Sequence, residues 1–166
     1  MKLRCRMIVL WALASMLVSP AAAQVEQVTI RTTGISCGVC AAVSEINFKR
    51  MPGIGEVRIS LSQETIVLSY KAGSTFDPQQ IRQVLQPLEV VALLLRVRAR
   101  GLVHDENGKR FFLAGKNRFL VQTENATPVP LDTPIVAEGI TNEQPDSVNL
   151  KILTFKVIDH EATKCP

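Results

Sequence analysis

Two cysteines separated by two residues, Cys37 and Cys40, are the residues of this chain whose type and spacing best suit chemistry. They end the sequence Gly-Ile-Ser-Cys-Gly-Val-Cys, which follows an alternating apolar run and precedes a segment of helical periodicity. This order predicts that both thiols lie at a strand-to-helix turn, where the first amides of a helix favour thiolate over thiol. Paired thiolates either bind a soft metal ion or exchange disulfides with other thiols.

The first 23 residues have the layout of a secretory signal peptide. Three basic residues lie among the first six, an apolar run covers residues 7–18, and an Ala-x-Ala pattern ends at Ala23. We therefore expect cleavage after Ala23 and an exported protein, either periplasmic or secreted. An uncleaved membrane anchor is the alternative interpretation, although the apolar run is short for a membrane span.

The charge balance argues against nucleic acid as a partner. The whole chain has 19 basic and 15 acidic residues, but residues 1–23 hold three of the basic ones and none of the acidic ones. The remaining 143 residues therefore have a net charge of +1, and few of them are aromatic. We expect no nucleic-acid partner and, once the signal peptide is removed, no membrane contact.

Three cysteines remain after cleavage, namely Cys37, Cys40 and Cys165. An odd number in an exported protein does not suggest a framework of disulfides. It suggests one functional pair and one spare thiol.

The first half of the mature chain shows alternating strands and helices. Apolar periodicity predicts strands over 27–33, 57–61, 66–70 and 90–95, a helix from the cysteines to about 50, and a helix over about 78–88. Asp77 is placed to cap the second helix, with Pro78 as its first residue. The order β-α-β-β-α-β is that of a ferredoxin-like fold, with two helices on one face of a four-stranded antiparallel sheet.

The second half reads as strands alone. Short strand-like runs over 96–100, 110–113, 118–123, 135–140 and 150–158 are interrupted by glycines, which suits the bends of a small barrel. The sequence thus predicts an α+β protein, in which a ferredoxin-like domain (24–95) continues directly into a small all-β domain (96–166) resembling an OB barrel.

Three arginines, Arg96, Arg98 and Arg100, alternate along the first strand of the second half and so share one face. They either meet an acidic partner protein or form a solvated face paired with glutamates. Surface charges of this kind are usually solvated or paired, which favours the second interpretation.

Residues 27–92 resemble a heavy-metal-associated domain, the family of small copper chaperones, ATPase metal-binding modules and periplasmic mercury-binding proteins. The resemblance rests on the cysteine motif, on Met51-Pro52-Gly53-Ile54-Gly55-Glu56-Val57 at the expected distance, and on the strand pair and Asp77-Pro78 that follow. Two departures are Ile35, where the family usually has Met, and Gln86-Pro87-Leu88-Glu89, which lacks the family's aromatic or lysine residue near the metal.

The resemblance implies that Cys37 and Cys40 bind a soft metal as thiolates, to carry or sequester it and to exchange it with a metal donor or acceptor protein. Cu(I) is the first expectation, with Hg(II) or Zn(II) as alternatives. Two sulfurs suit the near-linear coordination of Cu(I) or Hg(II), whereas tetrahedral Zn(II) needs two further ligands. No acidic residue lies between Gln27 and Ser44, so neighbouring carboxylates do not oppose thiolate formation.

Two other functions remain open at this point. The same pair would suit a thiol–disulfide oxidoreductase, although no strand-helix pattern precedes it and Ser36 stands where such enzymes have an aromatic residue. The pair would also suit a structural disulfide in an interaction module. We see no catalytic grouping and expect no enzyme activity. Weaker metal-ligand candidates are Met51, His104, His160 and Cys165.

Overall fold

The computed structural model describes residues 23–35, 37–122, 128–144 and 147–158. It contains eight strands, two α-helices and one short 3-10 turn among these residues. In chain order they are β1 (Gln24–Thr33), α1 (Gly38–Arg50), β2 (Ile54–Ser60), β3 (Thr65–Tyr70), α2 (Pro78–Leu85), the 3-10 turn (Gln86–Leu88), β4 (Val91–Glu106), β5 (Lys109–Ala114), β6 (Asn117–Val121), β7 (Ile135–Gln144) and β8 (Ser147–Val157).

The predicted fold class, a ferredoxin-like domain followed by a separate OB-like barrel, is wrong. The protein is mostly β, and all eight strands belong to one sheet with the order β2-β3-β1-β4-β5-β6-β8-β7. The finding that overturns the prediction is the shared sheet: the 16 residues of β4 continue through residues 95 and 96, as the sequence indicated, but they join both halves into one sheet. Along one edge β4 pairs with β1 and then with β5, and along the other it pairs with β7.

A fifth pairing closes part of the sheet into a barrel of five strands. Antiparallel pairing of β4 with β7 joins the two ends of the series β4-β5-β6-β8-β7, in which β6 and β8 are parallel. Along one edge of β4 the partner changes at Gly101, from β1, which pairs up to Arg100, to β5, which pairs from Leu102. A Cβ at this position would collide with the carbonyl of Leu113, so glycine permits the close approach of the two strands.

The barrel and the helical layer share one apolar core. Phe76, in the loop before α2, lies 6.3 Å from the Tyr70 ring and 6.0 Å from the Phe119 ring of the barrel, measured between centroids. Phe119 in turn lies 6.3 Å from Phe112. The amide of Phe76 donates to Oδ1 of Asn117 (2.8 Å), whose side-chain nitrogen donates to the carbonyl of Ala114 (3.2 Å). We call this group the seam; its members are Tyr70, Phe76, Phe112, Ala114, Asn117 and Phe119.

Tyr70 places a buried hydroxyl group in the seam. Its hydroxyl is buried and has no hydrogen-bond partner among the residues that the structure describes. Burial, with a further contribution from the charge of Asp77, raises the pKa of Tyr70 well above its ordinary value of 10. The phenol therefore stays neutral, as a group inside an apolar core must.

Two sequence predictions are confirmed, one about the start of α2 and one about the arginines of β4. Asp77 caps α2 by accepting a hydrogen bond from the Gln79 amide (2.9 Å), and Pro78 is the first residue of the helix. The outward arginines of β4 are largely paired: Arg98 lies 3.4 Å from Glu26 and 3.7 Å from Glu138, and Arg100 lies 2.9 Å from Glu26. The glutamate-paired interpretation of this face therefore holds for two of its three arginines.

β1 sets the distance between the two ends of the molecule. Gln24 pairs with Arg100 at the barrel end, and Thr33 pairs with Val91 at the other end, next to the cysteines. None of the helices in the described ranges is long and apolar enough to cross a membrane.

Candidate thiol site

The two cysteines lie where the sequence predicts them, at the turn between β1 and α1. Cys37 is the N-cap of α1, and its Sγ accepts a hydrogen bond from the amide of Cys40 at 3.0 Å. The Cα atoms are 5.3 Å apart, and the two sulfurs are joined in a disulfide. Cys37 is exposed and Cys40 partly exposed, so reagents in solvent reach the pair.

The loop before the cysteines is held by contacts on both sides. Gly34 has a left-handed backbone (φ +91°), and a Cβ there would lie 2.9 Å from the carbonyl oxygen of Glu89. Ile35 is fully buried, which anchors the loop in the core. On the other side, the amide and hydroxyl of Thr32 donate to the carbonyl of Glu64, at 2.8 and 2.9 Å. The sulfurs are therefore exposed groups on a fixed support.

The charges along α1 favour negative sulfur at its start. The first turn contains no acidic residue, and Lys49 and Arg50 lie in the last turn. Glu45, the acidic residue nearest the thiols on α1, is bound to Lys49 with 2.6 Å between Oε1 and Nζ. The helix dipole and the capping amide thus act on the sulfurs without a competing carboxylate on the same helix turn.

The donor set at this point of the chain consists of two sulfurs. Within the described ranges, no group of three or more His, Cys, Asp or Glu side chains is arranged to hold a metal ion. Two thiolates, released by reduction of the disulfide, match the low coordination number of Cu(I) or Hg(II). Tetrahedral Zn(II) would need two ligands from another molecule or from solvent.

Met51 and His104, two of the weaker ligand candidates, do not join the cysteine pair. Met51 follows the last residue of α1, about 20 Å along the helix from Cys37, and packs partly buried against the core. His104 lies in the barrel, where its Nδ1 is 2.7 Å from Oδ1 of Asp132. That carboxylate raises the pKa of His104 above its ordinary value of 6.5. The other two candidates, His160 and Cys165, fall outside the described residues.

One feature of the site was missed by sequence reasoning. Apolar residues spaced along α1 ordinarily mark its buried face. Here Val39 and Ile46 are 74% and 50% exposed, Ala42 is exposed and Val43 partly so. The buried face instead carries Ser44 and Phe48. We call Val39, Ala42, Val43 and Ile46 the outer stripe. Their helical spacing could be read from the sequence, but the sequence did not show that they lie on the solvent side of α1.

Comparisons with known proteins give little beyond this geometry. No protein-family model matches the chain. No curated protein matches it either. One solved structure that it resembles is described as "Crosstalk between Cu(I) and Zn(II) homeostasis", with 21% identity, a TM-score of 0.36 and coverage of 43% of this chain and 97% of that one. A likeness this distant assigns neither a fold nor a function to this chain.

Proposed function

We propose that this protein binds a soft metal ion, Cu(I) in the first place, through the thiolates of Cys37 and Cys40, and that it carries or sequesters the ion. The metal is cargo and is exchanged with a donor or acceptor protein. The chain acts outside the cytoplasm after removal of residues 1–23, and it performs no catalysis.

One observation supports this proposal: the sulfurs of exposed Cys37 and partly exposed Cys40 meet at the N-terminus of α1, on a loop anchored by buried Ile35. Thiolate ligands select soft ions over hard ones. A site with only two ligands leaves the ion open to an incoming thiolate, which suits a carrier. Because the same sulfurs form the disulfide, binding requires a prior two-electron reduction by a dithiol or similar reductant.

Anaerobic titration of the reduced protein with Cu(I), Hg(II) and Zn(II), each with a competing chelator, tests the proposal. We expect one Cu(I) or Hg(II) per chain, bound far more tightly than micromolar, and weaker Zn(II) binding. The variant with Cys37→Ser and Cys40→Ser should lose this binding. Binding no tighter than micromolar, or an unchanged double variant, would contradict metal carriage.

Thiol–disulfide exchange is the second candidate, because the pair is disulfide-bonded and exposed in the structure. A protein with this function would reduce a test disulfide such as insulin at a rate that depends on both cysteines. Its reduction potential, measured against glutathione, would lie among those of known exchangers, roughly −120 to −270 mV. Fast insulin reduction together with weak Cu(I) binding would favour this candidate over metal carriage.

A further inference from the structure

We propose that a groove along β4, on the face of the sheet away from the helices, binds a small molecule through its carboxylate or phosphate group. The groove is a cleft of about 260 Å³ between β1, β4 and β7. We call it the arginine groove; it is lined by Gln27, Thr29, Arg96, Arg98 and Glu138. This inference goes beyond the proposed function, because the groove uses neither cysteine.

The arginine groove faces solvent because it belongs to the side of the strands opposite the core. β4 alternates buried Val97 and Ala99 with exposed Arg96 and Arg98. Residues paired across neighbouring strands share a face of the sheet. Over residues 95–100, β4 pairs with β1 along one edge and with β7 along the other. β4 therefore runs along the middle of the groove, with β1 and β7 at its sides.

One end of the arginine groove is balanced in charge. Arg98 has Gln27 and Glu138 as its cross-strand neighbours. It lies 3.7 Å from Glu138 and 3.4 Å from Glu26. Arg100, the next outward residue of β4, lies 2.9 Å from Glu26. The two arginines and the two glutamates cancel in charge, so this end does not attract an anion.

The other end carries a positive charge without a counter-charge, at Arg96. The cross-strand neighbours of Arg96 are Thr29 and Ile140, which are neutral. Among the residues that the structure describes, Arg96 forms no ion pair, unlike the two arginines that follow it on β4. Two more exposed cations lie near this end: Arg31, two residues further along β1, and Lys151, which pairs with Ile140 on β8. This end therefore attracts an anion.

The groups that line the groove select an oxyanion. A guanidinium presents parallel N–H groups that match two oxygens of a carboxylate or a phosphate. The hydroxyl of Thr29 and the amide of Gln27 add neutral hydrogen-bond donors on β1. Glu138 repels a second negative group at the balanced end. The volume lies below the roughly 300–1,000 Å³ of sites for drug-sized ligands, so the ligand is small.

Titration of the oxidised protein, with its disulfide intact, tests the groove independently of metal binding. NMR amide spectra are recorded with inorganic phosphate, with succinate, and with succinamide as the neutral analogue. We expect saturable shifts at residues 27–31, 96–98 and 138–140 with one or both anions, and none with succinamide. Since the groove is open to solvent and its charges are screened, the dissociation constants should lie at about 0.1–10 mM. A response to a single anion identifies the group as phosphate or carboxylate and supports the groove.

Arg96→Gln removes the charge that has no counter-charge and should weaken anion binding at least tenfold. Arg58→Gln is the matched control, because Arg58 is an exposed arginine of β2 in the same cross-strand row as Arg96. It lies three strands away, or about 14 Å. Its removal should change the affinity less than twofold. Equal losses in the two variants would mean that only the net charge matters and would overturn the groove.

Thr29→Glu tests the charge at the groove while Arg96 stays in place. The new carboxylate lies directly across from Arg96 and occupies its guanidinium, so anion binding should disappear. Thr29→Gln introduces a neutral side chain of similar size and should keep the affinity within threefold. Equal losses in the two Thr29 variants would mean that space rather than charge decides, which would overturn the assignment to an oxyanion.

Two further results would overturn the proposal. One is the absence of saturable shifts with phosphate and with succinate up to about 10 mM. The other is saturable binding of a tetraglutamate peptide without binding of either small anion, which would assign the arginines to an acidic partner protein. Neither result bears on Cu(I) binding, which is measured separately with the cysteine variant.

Discussion

The end of the molecule that carries Cys37 and Cys40, here called the thiol end, differs from the seam in which groups are exposed to solvent. At the thiol end, the reactive atoms are exposed and the support beneath them is buried, since Cys37 faces solvent while Ile35 is inaccessible. In the seam, aromatic rings and one amide join elements that are distant in sequence, and the groups there are shielded from reagents. Substitutions in the seam should therefore change stability, whereas substitutions near the thiols should change chemistry.

The largest effect is expected from Phe119→Ala. Phe119 is 1% exposed and lies between Phe76 and Phe112, so its removal leaves a cavity where the barrel meets the helical layer. We expect a loss of about 3–5 kcal/mol in the free energy of unfolding, measured by urea denaturation. Leu153→Ala, at an exposed position, is the control and should change it little. A loss below about 1 kcal/mol for Phe119→Ala would mean that the two parts of the core are independent.

Asn117→Ala tests the polar contact of the seam. The substitution leaves the Phe76 amide and the Ala114 carbonyl without their partner in a buried place. An unsatisfied buried group of this kind costs about 1–3 kcal/mol, which denaturation would detect. Asn142→Ala, on the exposed part of β7, should be close to neutral. Equal stability of the two variants would show that Asn117 does not join the layers.

Ser44→Ala should act in the opposite direction, on the helix that carries the thiols. Ser44 is fully buried and its hydroxyl has no partner among the residues that the structure describes. Removing the hydroxyl relieves an unpaired polar group and favours the helix, so we expect thermal unfolding to show a gain of about 1 kcal/mol. Asn47→Ala, on the same helix, is the control, because it changes the helix propensity without removing a buried unpaired hydroxyl. A destabilised Ser44→Ala would reveal a partner for the hydroxyl.

The smallest effect belongs to the His104–Asp132 pair, which is exposed on the surface of the barrel. Because Asp132 raises the pKa of His104, protonated histidine is bound more tightly in the folded state. Its stabilising contribution is complete below about pH 6.5 and disappears as the pH rises through the folded-state pKa. NMR titration should give a midpoint above 6.5 for His104, and Asp132→Asn should return it toward that value. An unchanged midpoint in Asp132→Asn would exclude this carboxylate as the cause.

The sequence predicted most elements of this molecule because their signals are local. Alternation placed β3 to within a residue, and Asp77 with Pro78 marked the start of α2. The cysteine pair was correctly placed at a strand-to-helix turn for the same reason, since the motif lies directly between β1 (Gln24–Thr33) and α1 (Gly38–Arg50) in sequence.

What the sequence could not predict depends on contacts between distant residues. The hydrogen bond from Phe76 to Asn117 spans 41 positions, and no local sequence pattern at either residue indicates the other as its partner. Two of the three partners of β4, namely β1 and β7, are likewise distant in sequence, which is why the two halves of this strand were assigned to separate domains. Periodicity likewise gave the spacing of Val39 and Ile46 but not the side of α1 that meets the sheet.

The direction of β1 has a practical consequence for anyone who wants to attach this protein to a surface. Its ten residues run from Gln24 at the barrel end to Thr33 beside the cysteines, about 30 Å in extended chain. Val157, which pairs with Ile135 next to Gly101, also lies at the barrel end. A tether at Ala23 or Ile158 would therefore hold the thiols on the far side of the molecule, open to solution.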